Sequence, residues 1–156
     1  MDRSDRALVG KINDTFAYAT QFLHYGMEIR PLVTWADSRA GQFVAEWQVT
    51  QDHIGAAGCI DEGLLGTVTD NATAMLIGSA LSERGKSVST SISVQAVAPV
   101  QPGAVVEIVC SLSSQQSKQP HATATFRDKA DPQRIYAIGT HTKFFKAGLS
   151  ETQPRL

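Results

Sequence analysis

The segment from Asp61 to Leu81 constrains this chain most. After Asp61 and Glu62 its only charged residue is Asp70, until Glu83-Arg84 beyond its end. A helix with so little polar surface is buried over most of its circumference. At about 3.6 residues per turn, Leu64, Val68 and Met75 share one side, and Leu65 and Leu76 extend it. Opposite them runs a stripe of small residues, Gly63, Gly66, Thr67 and Ala74, and Asp70 falls within it. Small residues let another backbone come close, so this stripe should meet a second helix, a ligand or both. A carboxylate there either bonds a neighbouring turn or amide, or serves as general base or nucleophile. Asp61 and Glu62 oppose the positive end of the helix dipole. The free N–H groups of that first turn can also polarise a carbonyl oxygen.

The flanking segments show what buries this helix. From about 5 to 25, Leu8, Ile12, Phe16, Ala19, Phe22 and Leu23 recur at helical spacing, with Ser4 as expected N-cap and Gly26 as stop. Lys11, Asn13, Asp14 and Gln21 give this helix a polar side, so it lies on something. Ile29 to Ala36 and Gln42 to Thr50 read as strands of a hairpin around Asp37-Ser38-Arg39-Ala40-Gly41, with Trp35 and Trp47 packing it. Gln51 to Cys59 reads as loop. Gly85 suits a left-handed cap after the central helix. Four strands follow: Ser87 to Val97, where Val88, Ile92 and Val94 alternate with Ser and Thr, then Ala104 to Ser113, His121 to Arg127 and Ile135 to Phe145. The expectation is one α+β domain over 1–156: an N-terminal helix, a core at about 27–146, and a frayed tail at 147–156. An antiparallel sheet of five or six strands wraps one long central helix. Its open edges call for cover or pairing, so dimerisation across an edge strand is expected.

Composition excludes several functions. With 14 Lys plus Arg against 15 Asp plus Glu the net charge is −1, which argues against nucleic acid as a partner. Only 19% of residues are charged and 42% are hydrophobic, which fits a domain with much covered surface. No apolar run reaches the roughly 18 residues a bilayer crossing needs. Cys59 and Cys110 offer no zinc pattern and read as reduced thiols. The N-terminus, Met1-Asp2-Arg3-Ser4-Asp5-Arg6, carries acids and lacks a following continuous apolar core, so a cytoplasmic location is expected, with no metal.

Two blocks, Gly58-Cys59-Ile60-Asp61-Glu62-Gly63-Leu64 and Thr69-Asp70-Asn71-Ala72-Thr73-Ala74-Met75, resemble the hot-dog-fold acyl-CoA thioesterases of the phenylacetate-pathway and thioesterase-superfamily-member-2 type. There the first block reads Gly-Thr-x-His-Gly-Gly, and an Asp then an Asn follow along the helix. Glu83-Arg84-Gly85, Val88-Ser89, Pro102 to Ile108 and Gly139-Thr140-His141-Thr142-Lys143 extend the likeness over roughly residues 40 to 146. The resemblance implies a hot-dog fold assembled as a dimer or dimer of dimers, and cleavage of an acyl-CoA or carrier-bound thioester. No cofactor is implied beyond coenzyme A within the substrate.

It also implies roles. Asp70 acts as general base on water or as nucleophile. Ser89 positions the water, and the amides of Glu62 and Gly63 hold the thioester oxygen, the groups converging across two subunits. Asp61-Glu62 stands where the family has His-Gly, which sets Asp61 beside the substrate. The Asn usual ahead of the motif falls near Gly55, with His53 as a stand-in to orient water or as an exposed loop residue. Arg84, Lys86, His141 and Lys143 are candidates to meet coenzyme A phosphates or pantetheine; the alternative for each is solvated surface charge. Cys59, preceding the helix, is a remote nucleophile candidate, and His24 and His121 read as structural. Two rival functions stand beside hydrolysis. The added carboxylates of Asp61-Glu62 suit a hot-dog dehydratase or tailoring enzyme on a polyketide-like substrate, and a non-catalytic acyl-binding homologue would keep the fold alone.

Overall fold

A computed structural model describes residues 4–20, 29, 31–81 and 84–145. Helix α1 (Arg6–Thr20) leads into strands β1 (Leu32–Asp37) and β2 (Gln42–Gln48). A single 3-10 turn at Gln51–His53 precedes helix α2 (Glu62–Ala80). Strands β3 (Ser87–Ala96), β4 (Val105–Ser113), β5 (His121–Asp128) and β6 (Ile135–Phe145) complete the chain. The order matches the sequence expectation. Phe22, Leu23, His24, Gly26 and the tail beyond 147 lie outside the described residues.

The six strands form one antiparallel sheet in the order β1-β2-β4-β5-β6-β3, so β1 and β3 are its edges. Strict alternation along β4 and β5 sends Val106, Ile108, Cys110, Ala122, Ala124 and Phe126 inward. They meet Leu64, Leu65, Val68, Ala72, Leu76 and Ile77 of α2 in one core. This is the hot-dog arrangement: a curved sheet around a central helix, with α1 added at the N-terminal end. Gly139 on β6 lets α2 come this close, because a Cβ there would run into the Thr69 side chain.

Two local expectations are corrected. Asp5, not Ser4, caps α1: its Oδ1 accepts from the Leu8 N–H at 3.0 Å, while Ser4 Oγ accepts from Ala36 N on β1 at 3.3 Å. The longer carboxyl side chain reaches the third amide of the helix and leaves serine for the sheet. In β3, Val88 does not share a face with Ile92 and Val94. The register with β6 shifts between Ser89 and Ser91, a β-bulge at Thr90, whose hydroxyl donates to the Thr142 carbonyl at 3.1 Å. The extra residue reverses the alternation, so Val88 is 59% exposed while Val94 packs on the core. Gly85 has φ +82°, the left-handed conformation expected of it.

Candidate active site

The loop before α2 is built to deliver Asp61. Gly55 N–H donates to the Cys59 carbonyl at 2.9 Å, Gly58 N–H to Gly55 at 3.0 Å, and Asp61 N–H to the His53 carbonyl at 3.0 Å. Asp61 is the N-cap: its Oδ1 accepts from Leu64 N at 3.1 Å, and its carbonyl from Leu65 N at 2.8 Å. The remaining first-turn amides, those of Glu62 and Gly63, have no partner among the described residues, as a helix N-terminus leaves them. Both residues are exposed.

Asp70 lies on the solvent-facing small-residue stripe of α2. With Gly63, Gly66, Thr67, Asn71 and Ile92 of β3 it lines a groove of about 460 Å³. Its side chain is 45% exposed, and its Oδ1 lies 3.6 Å from Nδ1 of His141, which is wholly buried beneath it. His141 Nδ1 is also 2.6 Å from Thr73 Oγ1, and Nε2 is 2.9 Å from Ser89 Oγ. Lys143 Nζ donates to the same Ser89 oxygen at 3.2 Å. The bulge at Thr90 creates this cluster, since it lets Ser89 and Ile92 both face α2. Burial pushes the His141 imidazole below its ordinary value, and Lys143 adds to this; Asp70 opposes without prevailing. The imidazole is therefore neutral near pH 7, and its contact with Asp70 is not an ion pair.

The structure thus brings Asp70, Ser89, His141 and Lys143 together beside the groove, which Gly63 also lines, and sets the first-turn amides of Glu62 and Gly63 about two turns of α2 before Asp70. His141, a candidate for coenzyme A phosphates, has no exposed surface to offer them; its inward position follows from alternation two residues after Gly139. His53 is not an exposed loop residue. It is 4% exposed, its Nδ1 accepts from Thr50 N at 3.0 Å, and its ring sits 4.9 Å from that of the buried Trp47. Burial lowers its pKa, with Asp52 opposing. Gly55 serves the loop, and Arg84 Nη1 donates to the Ser117 carbonyl at 2.8 Å. Lys86 is exposed at the start of β3. Cys59 is half-buried, while Cys110 is fully buried and its thiol pushed up by desolvation. His121 Nδ1 is 3.0 Å from Thr142 Oγ1. Thr73 escaped the sequence reading; its signal was a hydroxyl on the buried side of α2, one turn after Asp70. Among the described residues no helix is long and apolar enough to cross a membrane.

Comparison with solved structures agrees with this fold. Zebrafish thioesterase superfamily member 2 superimposes with a TM-score of 0.75 at 22% identity, over 88% of this chain and 98% of that one. The mouse protein of the same name gives 0.70 at 19% identity, over 94% and 100%. The PaaI protein of the Escherichia coli phenylacetic acid degradation operon gives 0.67 at 15% identity, over 90% and 97%. The chain has the hot-dog fold of thioesterase-superfamily structures. No family model and no curated protein sequence matches it.

Proposed function

We propose that the chain hydrolyses an acyl thioester, an acyl-CoA or a carrier-bound acyl group. One observation carries this reading: a half-exposed carboxylate, Asp70, lines a groove and lies against the buried His141 ring, whose other nitrogen holds the Ser89 hydroxyl. Asp70 takes a proton from water as the water oxygen attacks the thioester carbonyl. The carbonyl oxygen gains the charge and is held by the Glu62 and Gly63 amides. Collapse then expels the thiolate. Ser89 orients the water, and Lys143 holds Ser89.

Glu62 and Asp70 are about 12 Å apart along α2, at roughly 1.5 Å per residue. A single chain's amides and carboxylate are too far apart for one carbonyl. The reading therefore includes a second copy, joined along the exposed β3 edge, whose helix N-terminus meets the first copy's Asp70. Asp61 is engaged as N-cap, which favours hydrolysis over the acid–base chemistry its substitution for His would otherwise suggest. The test is thiol release from a panel of acyl-CoAs and acyl-pantetheines. Asp70→Asn should lower kcat by about 10²–10⁴-fold and leave the urea midpoint unchanged. Full turnover in that variant, or no thiol release by the wild type, overturns the reading.

A further inference from the structure

The hydrogen bonds behind Ser89 have a direction, and it can be read from both ends. At the inner end, the Thr73 hydroxyl donates to the Thr69 carbonyl at 2.6 Å, with the Asp70 carbonyl at 3.4 Å. A hydroxyl has one proton. Thr73 Oγ1 must then accept from His141 across their 2.6 Å contact, which puts the imidazole proton on Nδ1. At the outer end, the Lys143 ammonium has donors only, so Ser89 Oγ accepts from it at 3.2 Å. Ser89's own proton goes to the remaining close partner, His141 Nε2 at 2.9 Å. The two ends demand the same tautomer. Nothing in the middle has to be chosen.

We infer that Thr73 and His141 are positioning residues, which lock Ser89 as a hydrogen-bond acceptor toward the groove through a one-way chain ending on the α2 backbone. Its use in catalysis rests on the thioesterase reading. A water in the groove then donates one proton to Ser89 and the other to Asp70, leaving its lone pair for the carbonyl. A freely rotating serine could instead donate to that water and turn the lone pair away. Burial of His141 supports the lock, because a neutral ring keeps Nε2 an acceptor. The groups facing that ring are Asp70 and Thr73 from α2, Ser89 from β3, Lys143 from β6 and, more distantly, His121 from β5.

The test reads the tautomer without a substrate. Long-range ¹H–¹⁵N correlation on the labelled full chain near pH 7.5 should show His141 protonated at Nδ1 and bare at Nε2. Thr73→Val, close in shape but without the acceptor, should leave the Ser89 end to hold the tautomer alone and so move the His141 ring ¹⁵N shifts toward an exchange average, and Thr73→Ser should restore them. With whichever acyl-CoA the wild type cleaves, Thr73→Val should lower kcat on the order of tenfold with KM unchanged, and Thr73→Ser should recover it. A proton on Nε2 in the wild type, or full kcat in Thr73→Val, overturns the inference. A wild type that cleaves no thioester removes the hydrolase reading instead, and the spectrum still decides the direction of the chain.

Discussion

The two edges of the sheet are treated in opposite ways. Along β1 the chain closes its own edge with α1. The Asn13 carboxamide takes both backbone groups of Val33, donating to its carbonyl at 3.1 Å and accepting from its N–H at 2.8 Å. Asp5 N–H donates to the Ala36 carbonyl at 2.8 Å, and Ser4 receives the Ala36 N–H. A helix thus stands in for the missing strand. Edge β3 has no such cover among the described residues, although at ten residues it is the longer of the two. Its flanks are Ser and Thr around exposed Val88 and Ile92, and Ser89 of the candidate site sits on it. Natural sheets seldom leave a long edge bare. The difference gives the edges different roles: β1 is closed by the chain itself, and β3 is the open edge on which the proposed function places a second copy.

The most severe way to break this comparison is to close β3 artificially. Val88→Lys with Ser93→Lys puts charges on the outward side of the edge, away from the groove and the Ser89 cluster. Expected is a shift to single-chain mass in sedimentation velocity and a fall in thioester turnover of at least about 10²-fold, the scale of a lost oxyanion-hole donor. Far-ultraviolet circular dichroism should not change. An intact oligomer with full activity would mean that the open edge is not where copies meet.

What the sequence shows of these two edges follows from the range of its signals. The charge-poor run from Asp61 to Leu81 and the alternation of β4 and β5 depend on local periodicity, so α2 and the central strands could be read directly. The small-residue stripe placed Asp70 opposite the apolar side of α2, on a face expected to meet a helix or a ligand; that the carboxylate is 45% exposed there came from the structure. Thr73, Ser89, His141 and Lys143 come from three elements, and their meeting depends on a one-residue bulge at Thr90 that alternation cannot register. Asn13 read as one polar residue on an outer face, yet it ties off Val33, twenty positions along the chain. His53 looked like a loop residue because burial against Trp47 requires the turn at Gln51–His53, whose pattern is not apolar.

The second prediction attacks the closed edge. Asn13→Ala leaves the Val33 N–H and carbonyl, both part-buried, without their partner. The cost should be about 1–3 kcal/mol in urea unfolding, the penalty for stranding such groups. Thioester turnover at saturating substrate should stay within twofold, since α1 caps the edge opposite the site. A comparable loss of activity would show that α1 supports the groove as well as the edge.

The smallest effect concerns pH, and it separates the two sides again. His53, on the β2 side, and His141, beneath β3, both have pKa values lowered chiefly by burial, so both are neutral in the folded chain near pH 7. In the unfolded chain each takes up a proton near its ordinary pKa of about 6.5. The unfolded state then binds more protons, and stability falls as pH drops from about 6.5 toward the lowered native values, and not further on their account. Urea midpoints at about pH 5 and about pH 7.5 should show this loss, and His53→Gln should remove only part of it. The part removed should be the same in the Val88→Lys, Ser93→Lys variant, because His53 is packed on Trp47 whether or not β3 is paired. If opening β3 changes the His53 share instead, the loop before α2 responds to assembly, and the two edges are less independent than their hydrogen bonds make them.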